Sequence, residues 1–113
     1  MALALNVFQT ITKVVPTTAV GIYTAPVGYT GVVLLAQAAN VGSQAHQVSL
    51  SHQRTTAGIA VTTEIVKDFP INNNDTSNLL PGKLVLETGD ALVISASNAT
   101  EVKFIGSILE TLN

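Results

Sequence analysis

The sequence predicts an all-β fold, namely a single-domain β-sandwich or jelly roll of about seven or eight antiparallel strands. Three observations indicate this class. The 113 residues include 14 valines, 8 isoleucines and 14 threonines, and these β-branched side chains favour the pleated surface of a strand. No long stretch shows the period of an amphipathic helix. Turn residues separate short apolar segments at intervals typical of a sandwich.

The length fits one domain. We interpret residues 1–15 as an N-terminal arm or edge strand and residues 16–113 as the sandwich domain. The first strand of the sandwich is predicted at residues 18–24, directly after the arm.

Two phrases frame the predicted sandwich, and each reads as strand, tight turn, strand. They are residues 22–33 (IYTAPVGYTGVV) and residues 80–95 (LPGKLVLETGDALVIS). Proline fixes φ at the start of a turn and glycine adopts the left-handed conformation, so Pro26 and Gly28 mark the first turn and Gly89 the second. The sequence therefore predicts a hairpin at each turn.

The remaining strands are predicted from apolar patterning between these turns. Residues 31–40 contain Val-Val-Leu-Leu, which is apolar on both faces and typical of a central strand. Residues 44–53 alternate, so that Val48 and Leu50 share one face with both histidines of the chain. Further strands are predicted at residues 57–66, 83–86, 91–97 and 102–109, with residues 67–81 as a longer connection.

The chain carries few charges for a soluble monomer. Charged residues make up 11% of the sequence and the mean hydropathy is +0.44, whereas soluble chains average about 25% charged residues. No apolar run approaches the ~20 residues that span a bilayer. A net charge of −2 does not indicate the basic surface that binds nucleic acid. We therefore expect a homo-oligomer that buries apolar surface between subunits, with neither nucleic acid nor a membrane as partner.

Four side chains are candidates for an interface or glycan contact. Tyr23 and Tyr29 flank the first turn, where they could stack on a sugar or pack on a neighbouring subunit. His46 and His52 lie roughly 20 Å apart at ~3.3 Å per residue, so they cannot share a metal ion within one chain. A threefold axis could bring copies of one histidine together, but we interpret both as hydrogen-bonded at the rim of the sandwich.

No catalytic cluster is recognisable. Asp90 heads a strand, and we interpret it as a turn cap that bonds backbone N–H groups. Glu87, Glu101 and Glu110 have no carboxylate, histidine or lysine at a recognisable spacing. Residues 72–75 offer one carboxylate, fewer oxygen ligands than calcium takes, and the chain has no cysteine. We therefore expect no enzyme activity, no cofactor and no metal site.

The two phrases resemble small β-sandwich virion proteins of tailed bacteriophages. The first match, residues 22–40, is a strand ending in Tyr-Thr-Ala-Pro, a glycine two residues on, and an apolar strand ending in Ala-Asn. Residues 80–97 and 102–110 match as well, so the likeness extends over most of the chain. It implies a virion protein made in the bacterial host cytoplasm: a capsid decoration protein, or a part of the neck, tail or baseplate. It also implies a symmetric oligomer, often a trimer, whose partners are its own copies and other virion proteins.

A carbohydrate-binding adhesin or receptor-binding module is the alternative, with Tyr23 or Tyr29 stacking on a glycan. The Gly-Asp strand start also resembles the cupin barrel. Cupin enzymes bind their metal through a His-x-His motif, and neither His46 nor His52 has a histidine two residues away. The cupin-enzyme interpretation is therefore excluded, whereas a jelly-roll topology stays open.

Overall fold

The computed structural model describes residues 5–113. Those residues form nine strands, which confirms the all-β prediction with one or two strands more than expected. No helix among these described residues is long and apolar enough to cross a membrane. The first four residues of the predicted N-terminal arm lie outside the described residues. The strands are β1 Asn6–Val14, β2 Val20–Thr24, β3 Tyr29–Asn40, β4 His46–Thr56, β5 Ile59–Ile71, β6 Asp75–Asn78, β7 Leu84–Leu86, β8 Ala91–Ala96 and β9 Val102–Leu112.

The strands form two sheets. In the first sheet the order is β1-β9-β3-β6, and β7 pairs with a different segment of β3. In the second sheet the order is β2-β8-β4-β5. Every pairing is antiparallel. β1 therefore lies at an edge of the first sheet, and β5 lies at an edge of the second.

The hydrophobic core lies between the two sheets. Successive side chains of a strand point to opposite faces, so the inward positions of β8 bury Leu92 and Ile94. Leu50 is buried on the neighbouring β4, and Phe104 and Ile108 are buried on β9 of the first sheet. Burial of each such side chain contributes about 1.5–3 kcal/mol, so this alternation holds the two sheets together.

The two turns predicted as hairpins connect the sheets instead, so that prediction was wrong. The turn after Pro26 carries the chain from the second sheet to the first, and the turn from Glu87 to Asp90 carries it back. In each turn the third residue is a glycine with a positive φ, 86° at Gly28 and 88° at Gly89. The residue before that glycine does not have a positive φ. Two-residue hairpins place a positive φ at the first central residue, so these turns do not match the twist of a hairpin.

The two turns lie side by side. The N–H of Ala25 donates to the carbonyl of Asp90 at 2.9 Å, and the N–H of Gly89 donates to the carbonyl of Ala25 at 3.0 Å. The Thr88 hydroxyl donates to the carbonyl of Tyr29 at 2.8 Å. The two sequence phrases therefore meet as one unit at one end of the sandwich.

A two-residue hairpin joins β4 to β5. Its central residues, Ala57 and Gly58, have φ values of 53° and 79°, as a type I′ turn requires. β8 pairs with β4 only between Val48 and Gln53, and Gln53 pairs with Thr62 of β5, so residues 54–61 extend beyond the neighbouring strand. We call residues 54–61 the hairpin tip.

We expect Gly89→Ala to lower the free energy of unfolding by about 1–2 kcal/mol, because alanine would have to adopt a left-handed φ. Crowding adds nothing, since a Cβ at Gly89 would meet no atom within 4 Å. Gly82→Ala is the matched control: its Cβ also meets open space, without a positive φ, and we expect a change within about 0.5 kcal/mol. Urea unfolding measures both variants, and equal losses would contradict the strain argument.

Candidate assembly interface

The outer face of the first sheet carries apolar side chains across four strands. The register places Phe8 opposite Leu109, Leu109 opposite Val32, and Val32 opposite Val85. Directly opposed residues share a face, with Cβ atoms about 4.5–5.5 Å apart. This face points away from the core, because the alternate positions on β3 and β9 are buried. We call these four residues the apolar row.

The apolar row is accessible at both ends and its surroundings are nearly free of charge. The exposed fraction is 73% for Phe8 and 55% for Val85, and Val32 and Leu109 between them are half-buried. Val14 and Ile105 add further exposed apolar side chains to the same face. Within residues 5–113, Lys103 is the single charged residue at an outward-facing strand position of this sheet. Contiguous exposed apolar patches mark interaction sites, so this face is the candidate assembly interface.

The same face ends at an open strand edge. β1 is the last strand of its sheet and pairs with β9 on one side. An edge strand presents backbone N–H and C=O groups to other chains, and proteins often protect such edges with charges or proline. Lys13 is the one charged residue among the nine of β1, which contains no proline. The edge therefore adds a second feature that favours contact with another chain.

Tyr23, one of the predicted contact residues, lies in the core. It is 9% exposed, and its hydroxyl donates to the carboxylate of Glu110. Gln9 donates through Nε2 to the same carboxylate at 2.7 Å, and Glu110 is also buried. Burial, reinforced by this carboxylate, raises the pKa of Tyr23 well above its usual range. The Tyr23 ring does not offer the exposed face that glycan stacking needs, and the network joins β2 of one sheet to β9 and β1 of the other.

Tyr29 lies at the start of β3 and is half-buried. Its N–H donates to the carbonyl of Pro26 at 3.1 Å, which closes the first turn. Of the two tyrosines that flank this turn, Tyr29 is thus the more exposed.

Each histidine contacts a carboxylate from a distant part of the sequence. His46 Nε2 lies 2.7 Å from Oε1 of Glu101, and His52 Nε2 lies 3.0 Å from Oδ2 of Asp90. These contacts connect β4 to the segments that enter β9 and β8. In the described part of the chain, no group of three or more His, Asp or Glu side chains could hold a metal ion.

Asp90 is the centre of a polar cluster at the base of the hairpin tip. Its side chain is 2% exposed. Arg54 donates to it through Nε at 2.8 Å and Nη2 at 2.7 Å, and the N–H of Glu87 donates at 3.0 Å. The hydrogen bonds from Arg54 are the main reason that the pKa of Asp90 lies well below its usual range, with His52 and the Glu87 N–H adding to them against the effect of burial. The predicted turn cap is confirmed, and Arg54 adds a clamp between β4 and the second turn.

The polar partners were missed by sequence reasoning because they are distant in sequence. Gln9 and Glu110 are 101 positions apart, and Arg54 and Asp90 are 36 positions apart. No local spacing rule connects such residues, since only the strand register brings them together. Sequence patterning therefore could not indicate which polar residues would pair with each other.

No protein-family model matches the chain, and no curated protein matches it either. Solved structures match its fold at low sequence identity. A chain of the T13 IBDV viral particle has a TM-score of 0.60 and 12% identity over 97% of this chain, which spans only 32% of that chain's length. A chain of the acid-stable capsid of Helicobacter pylori bacteriophage KHP30 has a TM-score of 0.55 and 14% identity, over 96% of this chain and 89% of the other. The sandwich therefore has a fold that also occurs in viral particles and capsids.

We expect Tyr23→Phe to lower the free energy of unfolding by about 1–3 kcal/mol at neutral pH, because a buried carboxylate loses a donor. Above pH 10.0, the ordinary pKa of tyrosine, the unfolded wild-type chain ionises Tyr23 while the folded chain does not. The free energy of unfolding of the wild-type chain should therefore fall as the pH rises, and that of Tyr23→Phe should fall less. Urea unfolding at neutral and alkaline pH measures both slopes. Identical slopes would show that Tyr23 is not held neutral by the fold.

Proposed function

We propose that this chain is a non-enzymatic structural protein of a tailed-bacteriophage virion that assembles as a symmetric oligomer, with a trimer favoured. It belongs to the capsid surface as a decoration or cement protein, or to the neck, tail or baseplate, after synthesis in the host cytoplasm. Its partners are its own copies and other virion proteins, rather than nucleic acid or a membrane. The sequence resemblance supports the bacteriophage origin, and the fold shared with chains of a viral particle and a capsid supports a virion role.

The exposed apolar face of the first sheet carries this proposal. As a free monomer, the chain would keep the apolar row and its neighbours in water, where apolar surface is unfavourable. Between subunits the same surface would be buried, as in obligate interfaces that resemble a domain core cut in half. The low charge content of 11% fits the same role, because a subunit in a permanent assembly needs less charged surface than a soluble monomer.

The polar clusters support a structural role rather than catalysis. The two buried carboxylates, Asp90 and Glu110, both accept hydrogen bonds from side chains of other strands. Each cluster joins elements of the sandwich, and such contacts stabilise a fold without any further chemistry. Catalytic sites instead place groups with perturbed pKa values where a substrate can reach them.

Electron microscopy of the intact particle tests the virion assignment directly. Density for this fold should occupy symmetry-related positions on the particle. Copy number separates the locations, since a decoration protein is present in hundreds of copies and a neck or baseplate part in a few to dozens, on the order expected from closed symmetry. Absence of the chain from purified particles would contradict the proposal.

The glycan-binding alternative now depends on Tyr29, because Tyr23 lies in the core. A glycan array with the unmodified chain and Tyr29→Ala tests it. We expect no binding that depends on Tyr29. Binding that Tyr29→Ala abolishes would favour the adhesin function over the structural one.

A further inference from the structure

The hairpin tip has an apolar side that its own chain leaves uncovered. The register pairs Arg54 with Val61 and Thr56 with Ile59, so these four side chains share one face. The same face of β4 continues into the core through Leu50, which is fully buried. The tip therefore extends the inner, core-facing side of the second sheet past the end of the sandwich.

This uncovered side is apolar and the tip is braced at its base. Ile59 is 69% exposed and Val61 is 60% exposed, and residues 55–63 contain no charge. A two-stranded hairpin is marginally stable on its own in water. Arg54 braces the base of the tip through its contacts with Asp90 and Glu87. A braced projection whose exposed side beyond Arg54 carries apolar side chains and no charge fits a surface on another molecule.

We propose that the hairpin tip of one copy lies across the apolar row of the next copy, in a head-to-tail contact. This inference rests on the proposed self-assembly and names the surfaces that carry it. Because two different surfaces meet, the contact is heterologous, and such contacts close into rings when the rotation between subunits allows it. A trimer is one such ring.

The dimensions of the two surfaces agree. The apolar row crosses four strands of the first sheet, which is about 14 Å at ~4.8 Å between strands. On β4 the tip extends from Arg54 to Thr56, beyond the last residue that pairs with β8. At ~3.3 Å per residue, this gives a projection of about 10 Å. The tip is thus long enough to cover most of the row.

Charge favours tip-on-row contact over tip-on-tip contact. A twofold contact between two tips would bring both Arg54 side chains into one interface, because Arg54 lies on the same face as Ile59 and Val61. Each Arg54 is paired with Asp90 and Glu87 of its own chain, so a tip-on-tip contact would bring two charged clusters into one interface, and removing charges from water is costly. The four residues of the apolar row are all uncharged, so a tip that lies on them brings in one such cluster rather than two.

Because the chain has no cysteine, a thiol cross-linker reacts only at cysteines that are introduced for the test. Val61→Cys on the tip and Val85→Cys on the row are co-expressed, treated with a short flexible bis-maleimide, and separated on a denaturing gel. Peptide mass spectrometry then identifies the linked positions. Asn73→Cys, on an exposed turn at the opposite end of β5, replaces Val61→Cys in the control.

We expect the 61–85 cross-link to exceed the 73–85 control by about tenfold or more, because docked thiols have a high effective concentration. Dominant 61–61 or 85–85 products, or a 61–85 yield equal to the control, would overturn the tip-on-row contact. Light scattering on the same samples separates the two proposals. An oligomer without the 61–85 product removes this contact alone, whereas a monomer removes the proposed self-assembly as well.

Discussion

The double variant Phe8→Lys/Val85→Lys should convert the oligomer into a folded monomer. Both side chains are exposed in the single chain, at 73% and 55%, so the new ammonium groups stay hydrated and each should change the free energy of unfolding by no more than about 0.5 kcal/mol. In an interface both groups would lose water, at about 2 kcal/mol or more each. The dissociation constant should therefore rise about 1,000-fold, which sedimentation equilibrium measures.

The matched control places the same two charges elsewhere. Val27 is 91% exposed and Val41 is 54% exposed, and both lie in loops outside the first sheet. Val27→Lys/Val41→Lys should leave the dissociation constant within a few-fold of the wild-type value, since most interface energy resides in few residues. If the loop variant dissociates as readily as the row variant, assembly does not depend on the apolar row.

Asp90→Ala should cause the largest loss of folding stability, about 3 kcal/mol, because three groups on β4 and the second turn lose their common partner at once. Arg54, His52 and the N–H of Glu87 all contact this carboxylate. Chemical unfolding at neutral pH measures the loss. Asp75→Asn is the control, since Asp75 is exposed, and we expect a change within about 0.5 kcal/mol.

The same carboxylate should make the fold sensitive to acid. The pKa of Asp90 is lowered by the fold, so the unfolded chain takes up a proton near the ordinary value of 3.8 while the folded chain does not. The stabilisation is therefore complete above that value and is lost as the pH falls below it. Asp90→Asn should flatten this acid limb. A variant as acid-sensitive as the wild-type chain would show that other carboxylates control it.

The fold class was predictable because apolar alternation is local, but β5 and β6 show its limits. Residues 67–81 were interpreted as a connection, yet they contain the end of β5 and all of β6. Two register shifts in β5 break its alternation, and Pro70 argues against a strand unless the strand lies at an edge, as β5 does. β6 consists of Asp, Thr, Ser and Asn, so it has no apolar pattern.

Only part of the candidate interface could be predicted from the sequence. The apolar run at residues 32–35 predicted a central strand, and β3 does lie inside the first sheet. Sequence patterning cannot tell whether the second apolar face of such a strand is covered by its own chain, since this depends on how many layers the fold has. In this chain Val32 faces outward. Tyr23 was ambiguous for the same reason, because the strand alternation did not reveal which face would meet Glu110.

The mass of the unmodified chain in solution tests the central claim, that the outer face of the first sheet is an assembly interface, most directly. Light scattering over a series of concentrations measures it. We predict a defined multiple of 11.7 kDa, three subunits being favoured, that persists on dilution as a permanent assembly should. A mass of 11.7 kDa at high concentration would contradict self-assembly through this face while leaving the β-sandwich itself intact.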